Sequence, residues 1–383
     1  MLFRSQAVNR WRAYQLRKRY LIRECYVFLV RSVRWQLQRI DSLPNEAALN
    51  GPLALFIEAA RQASSEPLGL ATRVARRLPA QLHSCGVPVA GLALPVMSAL
   101  ITAVWLQFSV VTAKPVDVLW AVGIFAAFCA ATIIASSFSR TRGLAAVVGT
   151  LAVVFGGFAA SSFPSALGVA LGGQLWDASL LRVDELLGFD HPALFEWLVR
   201  TPYVMSIIAV CYGLTILVLP LACIALVILK RYDRVRELNF VFAASITVVV
   251  AVAAIMPAAG LITSVRLSTE VLGALPEAAG VYHLDLFYAL RAGVPMAYGP
   301  FDNPGIIVFP SFHTCMALMI AFAFRDDAVM KWPALLYCGC TIVATVPMGS
   351  HYVADVIGGA VIFAACAWLA RQHLERAPRA FQS

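Results

Sequence analysis

Two short stretches near the end of the chain hold the residue types best suited to chemistry: Pro310, Ser311, Phe312 and His313 in one, and His351, Tyr352, Val353, Ala354 and Asp355 in the other. Thirty-eight positions separate the two histidines. That is about the length of two membrane-crossing helices joined by a tight turn, and such a path returns both imidazoles to one membrane face. Ser311 is placed to cap a helix. His313 then falls in the first turn, where free N–H groups and the helix dipole favour a bound anion. His351 and Asp355 are four apart, on one helical face. The carboxylate can take one imidazole N–H, fixing the tautomer and leaving the other nitrogen as a nucleophile.

The elements that must position these residues are membrane helices. Of the 383 residues, 60% are hydrophobic and 13% charged, against ~25% charged in soluble domains. Eight stretches have the roughly 20 apolar residues of a span: 87–112, 116–138, 143–163, 203–229, 238–258, 307–324, 333–349 and 352–371. The expected fold is therefore all-α, a polytopic integral membrane protein of about eight transmembrane helices. The net charge of +9 belongs wholly to residues 1–86, which carry fourteen basic and five acidic side chains. This region is expected in the cytoplasm, and its first forty residues are expected as a helix lying on the membrane, a disordered basic tail or an Arg-rich organellar transit peptide. No nucleic-acid-binding motif accompanies it. A cytoplasmic N-terminus puts 25 basic residues inside and five outside, as the positive-inside rule requires. Both histidines and the long connections 164–202 and 259–306 then lie on the extracytoplasmic side of what is expected to be a bacterial inner (plasma) membrane. The cysteines fall mostly in or beside apolar runs and read as core residues without a disulfide framework.

The two stretches, with their order and spacing, resemble the motifs of the type 2 phosphatidic acid phosphatase (PAP2) superfamily of membrane phosphatases and phosphotransferases. The resemblance covers residues 143–371 and implies a six-helix catalytic core, with two added helices in 87–142 and a cytoplasmic tail in 372–383. It implies that His351 is the nucleophile forming a phospho-histidine, Asp355 its orienting partner and His313 the acid for the leaving oxygen. Ser311 and Arg291 would bind the phosphate, with no cofactor and no metal. The substrate implied is a membrane lipid phosphate, with a lipid alcohol or water as acceptor. Phe312 stands where the family has Gly, Leu284 where its first Lys would be, and Thr345 where it has an Arg. The wording around both histidines is closer to the branch of inositol-phosphorylceramide synthases, which transfer a phosphorylated head group. Two missing cations fit a singly charged phosphodiester better than a monoester.

Other readings compete. His313, His351 and Asp355 have ligand types suited to a metal, but nothing supplies the groups that usually hydrogen-bond to metal ligands, or a tight ligand spacing. A transporter would place charged residues in mid-span, and these spans have none. The missing cations also suit a catalytically silent scaffold. Asp177, Asp184, Glu185, Asp190, His191 and Trp197 in the first outer loop read either as an interfacial helix over the site or as a solvated loop. His283, Asp285, Asp302 and Asn303, just before Pro310, are candidates to line a head-group pocket.

Overall fold

The computed structural model describes residues 111–171 and 173–375, with Leu82, 85–88 and 91–97. The basic region 1–86 thus lies almost entirely, the tail beyond 375 wholly, and more than half of the expected span 87–112 outside the described residues. Along the chain run the strand β1 (Val111–Ala113) and the helices α1 (Pro115–Ser136), α2 (Arg142–Ala170), α3 (Asp177–Leu186), α4 (His191–Arg200), α5 (Pro202–Gly213), α6 (Thr215–Ile228), α7 (Tyr232–Ile255), α8 (Thr269–Ala274) and α9 (Leu284–Arg291). The strand β2 (Met296–Tyr298) and the helices α10 (Phe312–Ala323), α11 (Lys331–Gly349) and α12 (Val353–Glu375) follow.

Among the described residues, five helices are long and apolar enough to cross a membrane: α1, α2 with the turn before it, α7, α11 and α12. A sixth span exists if α4 and α5, bent by 107°, are taken together. Eight spans were expected, and the difference has local causes. At Thr201 the chain leaves the helical conformation (φ −122°, ψ 67°), as the following Pro202 favours. The expected span 203–229 is divided after Gly213, where the Thr215 hydroxyl bonds back to the carbonyls of Tyr212 and Cys211 at 2.8 and 3.1 Å. The expected span 307–324 keeps only the twelve residues of α10, about 18 Å of helix, since Pro304 and Pro310 hold the approach to it irregular. The fold is also not purely helical, for β1 and β2 pair in parallel, Val111 opposite Met296 and Ala113 opposite Tyr298. Lys114 extends that bridge, donating its N–H to Tyr298 O at 2.9 Å and its ammonium to Asp302 at 2.7 Å.

The main core is aliphatic and aromatic. Cys223 and Leu226 of α6, Phe242 and Val249 of α7, and Cys315 and Met319 of α10 are all buried in it. The eight described cysteines are free thiols. At one end of α10, Arg325 donates to Glu237 of α7 at 2.7 Å, and Arg234 bonds to Glu237 at 2.8 Å and to Asp326. The basic turns after α6 and α10 are thereby joined, while His313 stands at the opposite end of α10.

Candidate active site

Two helix starts build the site. Ser311 is extended (φ −70°, ψ 110°) and its hydroxyl accepts the Thr314 N–H at 3.3 Å, the capping expected of it. Phe312 and His313 open the helix, and no described residue takes their N–H groups. The Phe312 ring packs edge-on against Phe158 and Phe242, centroids 6.0 and 5.6 Å away. His313 is half-buried, and its ring stacks on Tyr212 of α5 at 4.0 Å with 20° between planes.

His351 reaches Asp355 by a different route from the one its spacing suggested. It lies outside the helix, because α11 ends at Gly349, Ser350 is left-handed (φ 59°) and α12 begins only at Val353. Asp355 reaches back from the third helical position instead. Its Oδ2 accepts the Tyr352 N–H at 2.9 Å and lies 3.1 Å from His351 Nδ1. An acid at this position returning to the capping residue's N–H is half of a capping box. Since a carboxylate only accepts, Nδ1 carries the proton and Nε2 the lone pair. Burial pushes the His351 imidazole down to about 4, against the opposing pull of the Val308 carbonyl, so the ring is neutral at ordinary pH.

The two starts are tied together. The Ser311 N–H donates to the Asp355 carbonyl at 3.0 Å. A Cβ at Gly359 would come within 2.3 Å of the Ser311 carbonyl oxygen, so only glycine allows α12 to lie this close to α10. The result is a separation of 6.5 Å between the His313 and His351 ring centroids.

Two further buried carboxylates, both from α3, hold the His351 turn. Asp184 accepts the N–H groups of Val353 and Ala354, each at 2.8 Å, and pairs with His191 Nε2 at 2.7 Å. Asp355 and Asp184 between them satisfy the first N–H groups of α12, which a helix start otherwise leaves unpaired. Asp177 accepts from Ala259 N, Gly260 N and the Tyr352 hydroxyl at 2.9, 2.8 and 2.9 Å. Ser350 grips the same loop from the other side, its carbonyl and hydroxyl accepting the N–H groups of Leu261 and Ile262 at 2.7 and 2.9 Å.

A family model described as the PAP2 superfamily matches residues 178–369, half of the chain, from the second residue of α3 into α12, and so includes His313, His351 and Asp355. The chain belongs to the PAP2 superfamily. No curated protein and no solved structure matches it. The match is to the superfamily as a whole and does not single out the inositol-phosphate-transferring branch.

In this PAP2 protein His313, His351, Asp355 and Ser311 come together, whereas Arg291 is engaged otherwise: its guanidinium donates to the Gly173 carbonyl at 2.6 Å in an exposed position. The connection between α2 and α5 folds as the helix pair α3 and α4, with Asp177, Asp184 and His191 turned inward. Glu185 pairs with Arg182, Asp190 caps α4 through the Ala193 N–H, and Trp197 is exposed. A signal for the inward carboxylates was present in the sequence, since Asp177, Leu180 and Asp184 are spaced three and four apart on one helical face. His283 is buried, donates Nε2–H to the Ala259 carbonyl at 2.8 Å and is held down to about 4 by desolvation. Asp302 serves Lys114 and the Gly299 N–H, and Asn303 caps Gly305 N. No motif or spacing pointed to Tyr212, which stacks on His313 just before the break between α5 and α6.

Proposed function

We propose that this PAP2 protein moves a phosphorylated head group between membrane lipids through a phospho-histidine on His351. Its chemistry runs on the buried Asp355–His351 pair facing His313, and that arrangement is the observation carrying the proposal. Nε2 of His351 attacks phosphorus, the bond from phosphorus to the departing lipid oxygen breaks, and protonated His313 gives that oxygen its proton. Asp355 keeps the Nδ1–H aligned and offsets the charge the ring acquires. In the second half His313 removes the proton of an acceptor hydroxyl, the hydroxyl oxygen attacks phosphorus, and the N–P bond breaks to restore His351. Ser311 serves the phosphate through the two N–H groups its cap leaves open. Arg291 remains the candidate cation, reached by exchanging the Gly173 carbonyl for a phosphate oxygen.

Transfer is preferred to hydrolysis because Leu284 and Thr345 leave the site short of two cations, which suits a singly charged diester. The cluster of Arg234, Arg325, Glu237 and Asp326 at the end of α10 opposite His313 supports a cytoplasmic face there and an extracytoplasmic site, by the positive-inside rule. The test gives the purified protein, in lipid, phosphatidic acid, a polyprenyl pyrophosphate, and a phosphoinositide with ceramide or diacylglycerol as acceptor. Head-group exchange from the third, read by mass spectrometry, is expected. Free phosphate from the first two without exchange would make it a lipid phosphate phosphatase instead.

A further inference from the structure

Tyr212 lies beside the turn that carries His351, and no motif accounts for it. A Cβ built on Gly349 would lie 2.6 Å from the Tyr212 hydroxyl, 2.6 Å from His351 Cδ2 and 3.1 Å from His351 Nε2. The phenol oxygen and the nucleophilic nitrogen therefore both border the space that one methyl group on Gly349 would fill. The same phenol ring is stacked on His313, so Tyr212 touches both histidines' surroundings at once. Among the described residues its hydroxyl has a single hydrogen-bond partner, the Tyr282 hydroxyl, at the long distance of 3.4 Å, which leaves it able to donate elsewhere. Tyr282 is held in turn by its loop: the Gly280 N–H donates to the Met348 carbonyl at 2.9 Å, just ahead of the Ser350 turn. Burial keeps the Tyr282 phenol above its ordinary range, so it remains a neutral donor or acceptor.

We infer that the Tyr212 hydroxyl is a catalytic donor to a non-bridging oxygen of the phosphoryl group on its way to His351, with Tyr282 positioning it. This inference rests on the phosphoryl-transfer reading of the site and adds a residue to it. The physical argument is one of charge. A group attacked at phosphorus develops negative charge on its equatorial oxygens, and a pre-set donor there stabilises the transition state without reorganising. A phenol does so without the full positive charge that the site lacks at Leu284 and Thr345. It stabilises a singly charged diester adequately and a dianion poorly. The ring stacking also fixes His313 beside the same oxygens, so one side chain orients both the phosphate and the acid.

The test uses the full-length protein in lipid vesicles, with Tyr212→Phe, Tyr282→Phe, the double variant and His351→Ala, assayed for head-group exchange and phosphate release. Tyr212→Phe keeps the stacked ring and removes only the donor. Its kcat/KM is expected to fall by roughly 10- to 100-fold, towards the lower end of what losing one oxyanion donor costs. Inhibition by orthovanadate should weaken in parallel while the thermal midpoint is unchanged. Tyr282→Phe should lose less, and the double variant should be no worse than Tyr212→Phe alone, because Tyr282 acts through Tyr212. An additive double variant, which a merely structural Tyr282 would give, would overturn the Tyr282 part. Wild-type turnover and orthovanadate inhibition in Tyr212→Phe, beside an inactive His351→Ala, would overturn the inference and leave the phospho-histidine reading standing. Full activity in His351→Ala would remove both.

Discussion

Asp184 offers the sharpest test of how the site is held, because it lies on a different element from either motif. Its carboxylate is fully buried and makes three bonds: to the Val353 and Ala354 N–H groups at 2.8 Å each and to His191 Nε2 at 2.7 Å. Asp184→Ala would leave two backbone N–H groups and an imidazole nitrogen buried without partners. An orphaned buried donor costs about 1–3 kcal/mol, so a total of about 3–5 kcal/mol is expected, within the range for breaking a buried charged pair. Asp184→Asn retains one acceptor oxygen, but its amide N–H group faces the other donor, and a loss of about 1–2 kcal/mol follows. Asp190, an exposed cap one turn beyond α3, is the control, at about 1 kcal/mol for Asp190→Ala. Unfolding of the purified protein in detergent reads these differences. Asp184→Ala should lower the midpoint by on the order of 10 °C, with a parallel loss of turnover as the His351 turn loosens. A midpoint for Asp184→Ala indistinguishable from that of Asp190→Ala would refute the claim that α3 clamps the His351 turn.

Replacing His351 by Ala should abolish turnover and any acid-labile phospho-enzyme, whereas His313→Ala should slow turnover by about 10² to 10⁴, the scale of general acid catalysis; radiolabel trapped after acid quench separates the two. Turnover that survives EDTA is expected, and loss reversed by added divalent metal would restore a metal site at His313, His351 and Asp355. Gly359→Val should be inactive and poorly folded, since even a Cβ meets the Ser311 carbonyl at 2.3 Å; native stability and activity in that variant would disprove the close contact of α10 and α12. Acid dependence follows from burial of the neutral His351 and His283, each held down to about 4 against about 6.5 for free imidazole. Between those values the unfolded chain binds more protons than the folded one, so stability should fall as the pH drops from about 6.5 towards 4. The share of kcat/KM that depends on neutral His351 should hold until pH approaches about 4, and a loss centred near 6.5 traced to His351 would contradict its burial.

How much of this was legible in the sequence depends on the range of the interaction. Ser311 as a cap could be read because capping is decided within three residues, and the structure places the Thr314 N–H on its hydroxyl. The Asp355–His351 pair was legible for the right residues and the wrong reason. Spacing alone suggested two side chains on one helical face, whereas the left-handed Ser350 takes His351 out of the helix and Asp355 meets it as a returning cap. Long apolar runs predicted α1, α2, α7, α11 and α12 well. The runs at 203–229 and 307–324 misled because hydropathy does not register a hydroxyl bonding back to its own helix or a proline beside the membrane-spanning stretch. Tyr212 lies just before such a break and was invisible for that reason. Asp177 and Asp184 were hardest to weigh. A short amphipathic helix with acidic residues is read by default as solvated, and only the partners decide otherwise: Gly260 and Val353 lie 83 and 169 positions away. A carboxylate is kept inside a protein only when donors converge on it. The donors here are backbone N–H groups, and no sequence pattern distinguishes an N–H that will be free from one that will not. The pairing of His351 with Asp355 could therefore be read from their spacing, while the groups that hold the pair required the fold.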